Sequence, residues 1–161
     1  MAIQFAHALG AHTVLFTTSP NKAKDAKRLG ADEVIISSNH EEMSQQVASF
    51  DFILDTVSAT HNLDSYTALL KRDATLCLLG LPDSPHPSPS IGNLIFKRRR
   101  IVGSLIGGLK ETQEMLDFCA ENAISSEVEI ISIQEINTAF KRMLKKDVKY
   151  RFVIDLKTLK A

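Results

Sequence analysis

Hydroxyl side chains and a lysine follow the first short apolar segment after the opening helix pattern. Thr17, Thr18 and Ser19 come directly after residues 13–16, and Lys22 lies one helical turn further on. Hydroxyl groups, the free N–H groups at the start of a helix and an ammonium group all favour a bound anion, so this set is suited to a phosphate. The same residues also fit an ordinary turn and helix cap with a solvated lysine.

The end of this apolar segment carries no acidic residue. In Rossmann domains selective for NAD, an Asp or Glu commonly ends the second strand and binds the 2′-hydroxyl of the ribose. Hydroxyl groups and Lys22 occupy that place here, which favours a ribose that carries a 2′-phosphate.

Other catalytic signatures are absent from the sequence. The seven glycines form no G-x-G-x-x-G pattern, the five histidines form no H-E-x-x-H pattern, and no G-x-S-x-G is present. The sequence therefore predicts no pyrophosphate loop, no metal site, no hydrolase triad and no catalytic residue within this chain. The glycine-rich residues 103–108 fit either an ordinary strand-to-helix turn or a wall beside a ligand.

The remaining polar features have ordinary interpretations. Asp51 and Asp55 flank a predicted strand and are interpreted as residues at its two ends rather than as an acid/base pair. The basic run 97–100 is interpreted as a solvated helix end. Cys77 and Cys119 lie in apolar stretches without C-x-x-C spacing, which predicts neither a disulfide nor a zinc ribbon and favours a reducing cytoplasm.

The composition is that of one globular domain. The chain has 161 residues, of which 44% are apolar and 24% are charged, and about 150 residues are usual for one domain. Nineteen basic and nineteen acidic residues give a net charge of zero, so no nucleic-acid partner is expected. No apolar run approaches the ~18 residues of a membrane span, and the first residues lack the pattern of a signal peptide. We therefore expect no membrane partner and a cytoplasmic location.

Short apolar segments alternate with helical patterns along the chain. Strands are predicted at residues 13–16, 33–36, 52–54, 75–79, 101–106, 128–131 and 150–156. Helices are predicted at residues 1–9, 22–29, 39–49, 63–70, 91–96, 110–122 and 136–144. Four of the five prolines lie in the serine-rich residues 82–89, which are predicted to form an exposed loop. The alternation predicts an α/β fold with a doubly wound parallel sheet, in which ligands bind beyond the carboxyl ends of the strands.

An ordered series of segments extends over essentially the whole chain. Its members are MAIQFAHALGA at residues 1–11, LGAD at 29–32, FILDTV at 52–57, LLGL at 78–81, GSLIG at 103–107, KET at 110–112, EML at 114–116, NTAF at 137–140 and DVKYRFVID at 147–155. LGAD alone is a weak marker, whereas the ordered series with its YRF ending is specific. The series resembles the nucleotide-binding domain of zinc-type medium-chain alcohol dehydrogenases, most closely the cinnamyl-alcohol-dehydrogenase-like branch of NADP-dependent aldehyde reductases.

This resemblance implies NADP(H) as the cofactor and assigns three groups of residues to it. Thr17, Thr18 and Lys22 correspond to the pocket for the 2′-phosphate, where the plant members usually have serines at the two threonine positions. Thr56 and Val57 would line the adenosine and pyrophosphate side. The residues implied beside the nicotinamide are Gly80, Leu81, Ser104, Leu105 and Ile106.

The sequence departs from this family in one large respect. In the family, a strand and a G-x-G-G-x-G-H segment precede the first helix, and a catalytic domain with zinc ligands and a proton relay precedes both. The resemblance therefore implies a Rossmann-like sheet without its first strand and glycine loop at residues 1–125. Residues 126–161 would close the sheet and normally return to the catalytic domain. Zinc would belong to the intact family enzyme, and this chain would be a truncated frame or a deliberate fragment.

The missing strand would be a central one in the Rossmann strand order. Strands 13–16 and 52–54 would then expose unpaired N–H and C=O groups, through which another copy could pair. We therefore expect marginal stability or self-association, with a homodimer as the expected form.

The function expected from the resemblance is that of the NADP(H)-binding portion of a zinc-dependent alcohol dehydrogenase or aldehyde reductase. Such an enzyme transfers a hydride between nicotinamide and an alcohol or aldehyde. One alternative is a catalytically inactive fragment that acts as a dinucleotide-binding or dimerisation module, and another is part of a zinc-free quinone-reductase-like enzyme. A binding module of unrelated function is a further alternative. The chain alone is expected to show no turnover.

Overall fold

Strands and helices alternate along the chain in the computed structural model, which describes residues 1–145 and 147–159. The strands are β1 Val14–Thr17, β2 Glu33–Ile36, β3 Phe50–Asp55, β4 Leu70–Leu78, β5 Arg100–Gly103, β6 Glu129–Ser132 and β7 Phe152–Asp155. The α-helices are α1 Ala2–Ala8, α2 Ala23–Arg28, α3 His40–Ser44, α4 Asp64–Thr67, α5 Ile91–Ile95, α6 Leu109–Glu121 and α7 Ile136–Leu144. Each predicted strand and helix is confirmed, although several ends differ.

Glycine ends the first two helices as the sequence predicts. Gly10 follows α1 with φ +76°, and Gly30 follows α2 with φ +103°. These backbone angles carry little cost only for glycine, because it has no Cβ atom. Among the described residues, no helix combines the length and the apolar character that a membrane crossing requires.

All strand pairs in the described part of the chain are parallel. β1 pairs with β2, β3 and β5 flank β4 in a second sheet, and β6 pairs with β7. Asp55 at the end of β3 is level with Leu78 of β4, and Leu78 is level with Gly103 of β5. The predicted α/β fold is therefore confirmed, and the strands of the second sheet end at one common edge.

An apolar groove separates the first sheet from the second. β1 and β3 each line one side of it, and their side chains include Phe16, Phe50 and Leu54. Its volume is about 520 Å³. Within residues 1–145 and 147–159, no strand lies between β1 and β3. The edge of each strand that faces the groove is therefore open to pairing, as the sequence predicts.

The hydrophobic core lies mainly under the second sheet. Its buried members are Ile35, Met43, Ile53, Leu63, Leu69, Leu70, Ala74 and Leu76. Phe16 of β1 packs edge-on against Phe50 and Tyr66, with ring centroids 5.2 and 5.9 Å apart. These aromatic contacts join the first sheet to the core below the groove, since edge-to-face pairs stabilise packing beyond area burial alone.

Several predicted boundaries are wrong, most clearly at the carboxyl ends of three elements. The helix predicted at 39–49 ends at Ser44, and the helix predicted at 63–70 ends at Thr67. Long-range backbone bonds cause both changes, because the N–H groups of Ser49 and Phe50 donate to the carbonyl of Leu69 at 2.8 and 3.1 Å. The strand predicted at 101–106 ends at Gly103, where it is level with the last residue of β4.

The interpretation of residues 97–100 as a solvated helix end is wrong for Arg99. Its Nε and Nη2 donate to the carbonyl of Leu70 at 2.9 and 2.6 Å. Nη2 also donates to the carbonyl of Ala68 at 3.1 Å, and Nη1 donates to that of Asn93 at 3.3 Å. Burial lowers the pKa of this guanidinium group from its ordinary value. Arg99 thus binds backbone carbonyls between the end of α4 and the start of β4.

We expect Arg99→Leu to lower the free energy of unfolding by about 2 kcal/mol, because it leaves partly buried carbonyls without their donors. Urea unfolding followed by circular dichroism measures this loss. Arg100→Leu is the matched control, since exposed Arg100 makes one bond, to the carbonyl of Asp73 at 3.1 Å. Equal losses for the two variants would contradict the role assigned to Arg99.

Candidate functional site

The candidate site residues lie beyond the carboxyl ends of four strands. Thr17 is the last residue of β1, and Thr56 and Val57 follow β3. Gly80 comes two residues after β4, and Ser104 directly follows β5. This is the position at which doubly wound α/β folds bind ligands. The groove divides the residues into two groups, because β1 lies on one side of it and β3 on the other.

The first group surrounds the turn after β1. Thr17 is buried, and its Oγ1 accepts the N–H of Ser19 at 3.1 Å, so this hydroxyl group shapes the turn. Ser19 occupies the N-cap position before Pro20, as the turn-and-cap interpretation predicts, although its side chain makes no cap hydrogen bond. Thr18 and Lys22 are exposed. The exposed hydroxyl and ammonium groups are therefore the parts of the predicted anion set that a ligand can reach.

The acidic residue nearest to Lys22 along the chain is engaged elsewhere. Asp25 lies 3.0 Å from Nζ of Lys149 and 3.5 Å from Arg28. The hydrogen bond from Lys149, together with the charges of Lys149 and Arg28, holds the pKa of Asp25 below its ordinary value. The carboxylate of Asp25 is thus paired with Lys149 and Arg28.

The second group begins with the loop after β3. Oδ1 of Asp55 accepts the N–H of Val57 at 2.9 Å and so fixes the backbone over Thr56. The side chains of Thr56 and Val57 are exposed, and both residues line the groove. Asp51, at the other end of the strand, pairs with Lys71 at 2.8 Å. The two aspartates therefore have separate partners, as the sequence interpretation requires.

Gly80 brings the loop after β4 into backbone contact with the loop after β3. A Cβ atom at Gly80 would lie 2.2 Å from the carbonyl oxygen of Val57 and 2.9 Å from the nitrogen of Ser58. The N–H of Leu79 also donates to the carbonyl of Asp55 at 2.8 Å. Only glycine allows this approach, because any side chain would collide with backbone. The structure thus brings Val57 and Gly80 together.

The residues after β5 are the most exposed of the set. The N–H of Ser104 donates to the carbonyl of Leu78 at 3.1 Å and continues the pairing of the sheet. The side chains of Leu105 and Ile106 are 89% and 90% exposed, and that of Leu81 is 87% exposed. These three apolar side chains therefore do not pack against the described part of the chain.

The glycine-rich residues 103–108 end at the start of α6. The carboxylate of Glu111 accepts the N–H of Gly108 at 2.8 Å, and this bond fixes the first turn of the helix. Such a bond is the usual acidic half of a capping box. The interpretation of this segment as a strand-to-helix turn is therefore confirmed.

One polar cluster was not identified from the sequence. Nε2 of His61 lies 2.9 Å from Oδ2 of Asp55, and the His61 ring contacts that of His86 with centroids 4.7 Å apart. The only signal in the sequence is an aspartate at a strand end with a histidine six residues later. Since His86 comes from the proline-rich loop, only the folded chain shows that the three side chains meet.

Metal-binding geometry is not found in the described part of the chain. No group of three or more His, Cys, Asp or Glu side chains there has a spacing that could hold a metal ion. Cys77 and Cys119 are both buried free thiols. No step of a reaction is therefore assigned to zinc on the described residues.

The sequence matches a known family model and a group of related proteins. The model described as zinc-binding dehydrogenase matches residues 1–121. The aldehyde reductase YahK of Escherichia coli (strain K12) is 60% identical over 159 residues, which make up 99% of this chain and 46% of that protein.

Two solved structures resemble the fold over nearly its whole length. A cinnamyl alcohol dehydrogenase from Sorghum bicolor has a TM-score of 0.93 and 37% identity over 99% of this chain and 45% of its own. The structure of CAD from Helicobacter pylori complexed with NADP(H) has a TM-score of 0.84 and 34% identity over 98% of this chain and 44% of its own. The chain thus spans a little under half the length of these relatives.

Proposed function

Because the chain belongs to the zinc-binding dehydrogenase family, we propose that it binds NADP(H) beyond the carboxyl ends of its strands. It would do so as the cofactor-binding part of an alcohol dehydrogenase or aldehyde reductase. The similar proteins named above support this proposal, since one is an aldehyde reductase and another was solved as a complex with NADP(H).

The observation that carries the proposal is the chemistry at the end of β1. Thr18 and Lys22 present an exposed hydroxyl group and an ammonium group, and no acidic residue ends the strand. A carboxylate at this position would repel a 2′-phosphate and bind a 2′-hydroxyl group instead. Lys22 would pair with the phosphate, and Thr17 would shape the turn that presents Thr18.

The other residues would line the remaining length of the cofactor. Thr56 and Val57 would lie beside the adenosine and pyrophosphate groups. The residues proposed beside the nicotinamide are Gly80, Leu81, Ser104, Leu105 and Ile106. Bound NADPH would supply the hydride that reduces an aldehyde carbon, or NADP⁺ would accept one from an alcohol. The chain's own residues would bind and orient the cofactor.

We further propose two units within the chain, residues 1–125 for the cofactor and residues 126–161 as a closing segment. The second unit contains the separate β6–β7 sheet. Arg28 of α2 binds Glu127 through two hydrogen bonds, one of them 2.9 Å long, and lowers the pKa of that carboxyl group. This ion pair supports a closing segment that docks on the first unit. Lys146, Lys160 and Ala161 lie outside the described residues.

The groove between β1 and β3 would take an extended segment of a second copy or of a longer polypeptide. Two parallel strands with open edges and an apolar lining favour an added strand, because it would satisfy the backbone groups on both sides. Self-association through this groove remains part of the proposal, and light scattering of the purified chain measures it.

The test is a fluorescence titration of the purified 161-residue chain with NADPH and NADH, followed by an assay with aldehydes and added zinc. We expect tighter binding of NADPH than of NADH and no aldehyde turnover, because the described residues contain no metal-ligand cluster to polarise the carbonyl group. Tighter binding of NADH would overturn the cofactor assignment. Turnover above a metal-stripped control that is lost on mutation of this chain would overturn the expected inactivity.

A further inference from the structure

The loop after β3 is exposed along most of its length but is held by a shielded polar cluster. We call residues 56–62 the β3 loop. Residues 56–60 are exposed, whereas the side chain of His61 is 20% exposed and that of Asp55 is 9% exposed. This exposed loop therefore has polar contacts at both of its ends.

A single carboxylate joins the two ends of the β3 loop. Oδ1 of Asp55 accepts the N–H of Val57 at 2.9 Å, and Oδ2 lies 2.9 Å from Nε2 of His61. The other ring nitrogen, Nδ1 of His61, lies 2.8 Å from the carbonyl oxygen of Ala59. The imidazole ring therefore connects the strand end to the middle of the loop. Both oxygens can only accept hydrogen bonds, so a ring nitrogen that carries a proton can donate to the oxygen that it faces.

The proline-rich loop covers this cluster from outside. Nδ1 of His86 lies 3.1 Å from the carbonyl oxygen and 3.3 Å from the backbone nitrogen of His61. The hydroxyl group of Thr60 donates to the carbonyl of Ser84 at 2.7 Å. On another side, the Tyr66 ring meets His61 edge-on at 5.6 Å. Asp55, His61 and His86 thus form a clamp, and we use that name for these three side chains.

The clamp contacts loop residues that are proposed to line the cofactor. The N–H of Val57 is fixed by Asp55, and the carbonyl of Val57 is the atom against which Gly80 packs. We infer that His61 is a positioning residue, which holds the β3 loop in the shape that accepts NADP(H) without touching the cofactor itself. This inference rests on the proposed function, because it concerns the same site.

The first experiment compares NADPH affinity of the full chain with that of His61→Phe. Phenylalanine keeps a ring against Tyr66 and His86 but removes both hydrogen bonds of the imidazole group. We expect the dissociation constant for NADPH to rise about tenfold, which corresponds to about 1.4 kcal/mol. Amide hydrogen exchange should become faster in residues 56–62 and should remain unchanged at Ala74, Leu76 and Cys77, which are buried residues of β4.

The conservative variant Asp55→Asn tests whether NADPH affinity depends on the position of the β3 loop or on the negative charge of Asp55. In Asp55→Asn, the amide oxygen can accept the N–H of Val57, and the amide nitrogen can donate to Nε2 of a neutral His61 ring, which still donates from Nδ1. Every hydrogen bond of the clamp is then kept although the negative charge is lost. We expect its affinity for NADPH to stay within about threefold of the original, whereas Asp55→Ala should match His61→Phe.

A second variant keeps the test decisive if His61→Phe does not fold. His86→Ala removes the outer contact from the surface loop and should weaken NADPH binding about threefold. Unchanged NADPH affinity in His61→Phe, or in His86→Ala where His61→Phe does not fold, would overturn the inference but not the proposed function, provided that the original chain binds NADPH. A large loss of NADPH affinity in Asp55→Asn would show that the negative charge, rather than the position of the loop, sets the affinity. That result would also overturn the inference. Failure of the original chain to bind NADPH or NADH would overturn the proposed function, and this role of His61 with it.

Discussion

Replacing Gly80 with alanine is expected to lower the free energy of unfolding by about 3 kcal/mol, at the upper end of the usual cost of an overpacked site. The added methyl group would lie 2.2 Å from the carbonyl oxygen of Val57. That atom belongs to the backbone, so no rotation of a side chain can relieve the collision. The loops after β3 and β4 must separate, and NADPH binding should weaken together with stability.

Gly103→Ala is the matched control for this prediction. Gly103 also lies at the carboxyl end of a strand, but its added Cβ atom would be 4.0 Å from the nearest heavy atom, the carbonyl oxygen of Leu78. We expect a change of less than about 1 kcal/mol, because alanine fits this space and restricts the unfolded chain. Urea unfolding and NADPH titration of both variants measure the difference. Equal behaviour of the two variants would show that the contact between Val57 and Gly80 relaxes freely.

Lys22→Ala is expected to reduce affinity for NADPH by roughly tenfold to hundredfold, the usual worth of a hydrogen bond to a charged group. Affinity for NADH should hardly change, because NADH carries no 2′-phosphate. Raised salt should weaken NADPH binding by the original protein more than by the variant, since salt screens the charge pair. Fluorescence titrations at two salt concentrations measure these changes.

The control for Lys22 is Lys24→Ala, since Lys24 is an equally charged and exposed residue two positions further on. The titrations are made on the full chain and on a fusion that places the preceding half of the Escherichia coli aldehyde reductase before residue 1. The fusion supplies the strand and glycine loop that the resemblance implies. Equal losses for NADPH and NADH would show that Lys22 supports the fold rather than the phosphate site. A similar loss in Lys24→Ala would point to general charge instead.

The order of strands and helices could be predicted from the sequence, although not all of their ends. Short apolar runs, helical spacing and glycines such as Gly10 and Gly30 act over a few residues, so they can be recognised without knowledge of distant contacts. The open edges of β1 and β3 were predicted from the family resemblance and the Rossmann strand order rather than from local pattern. Local information also singled out Thr18 and Lys22, because Thr18 directly follows β1 and Lys22 lies one helical turn further on.

Contacts between distant parts of the chain could not be predicted from the sequence and are visible only in the folded protein. Arg99 binds the carbonyl of Leu70, Gly80 contacts Val57, and His86 closes over His61. These contacts also moved the element ends, since β4 begins at Leu70 although the local pattern there is helical. The local sequence pattern shows only which positions are apolar and at what spacing apolar residues recur. The partner of a buried carbonyl, a glycine or a histidine is set by how the strands and loops pack in three dimensions.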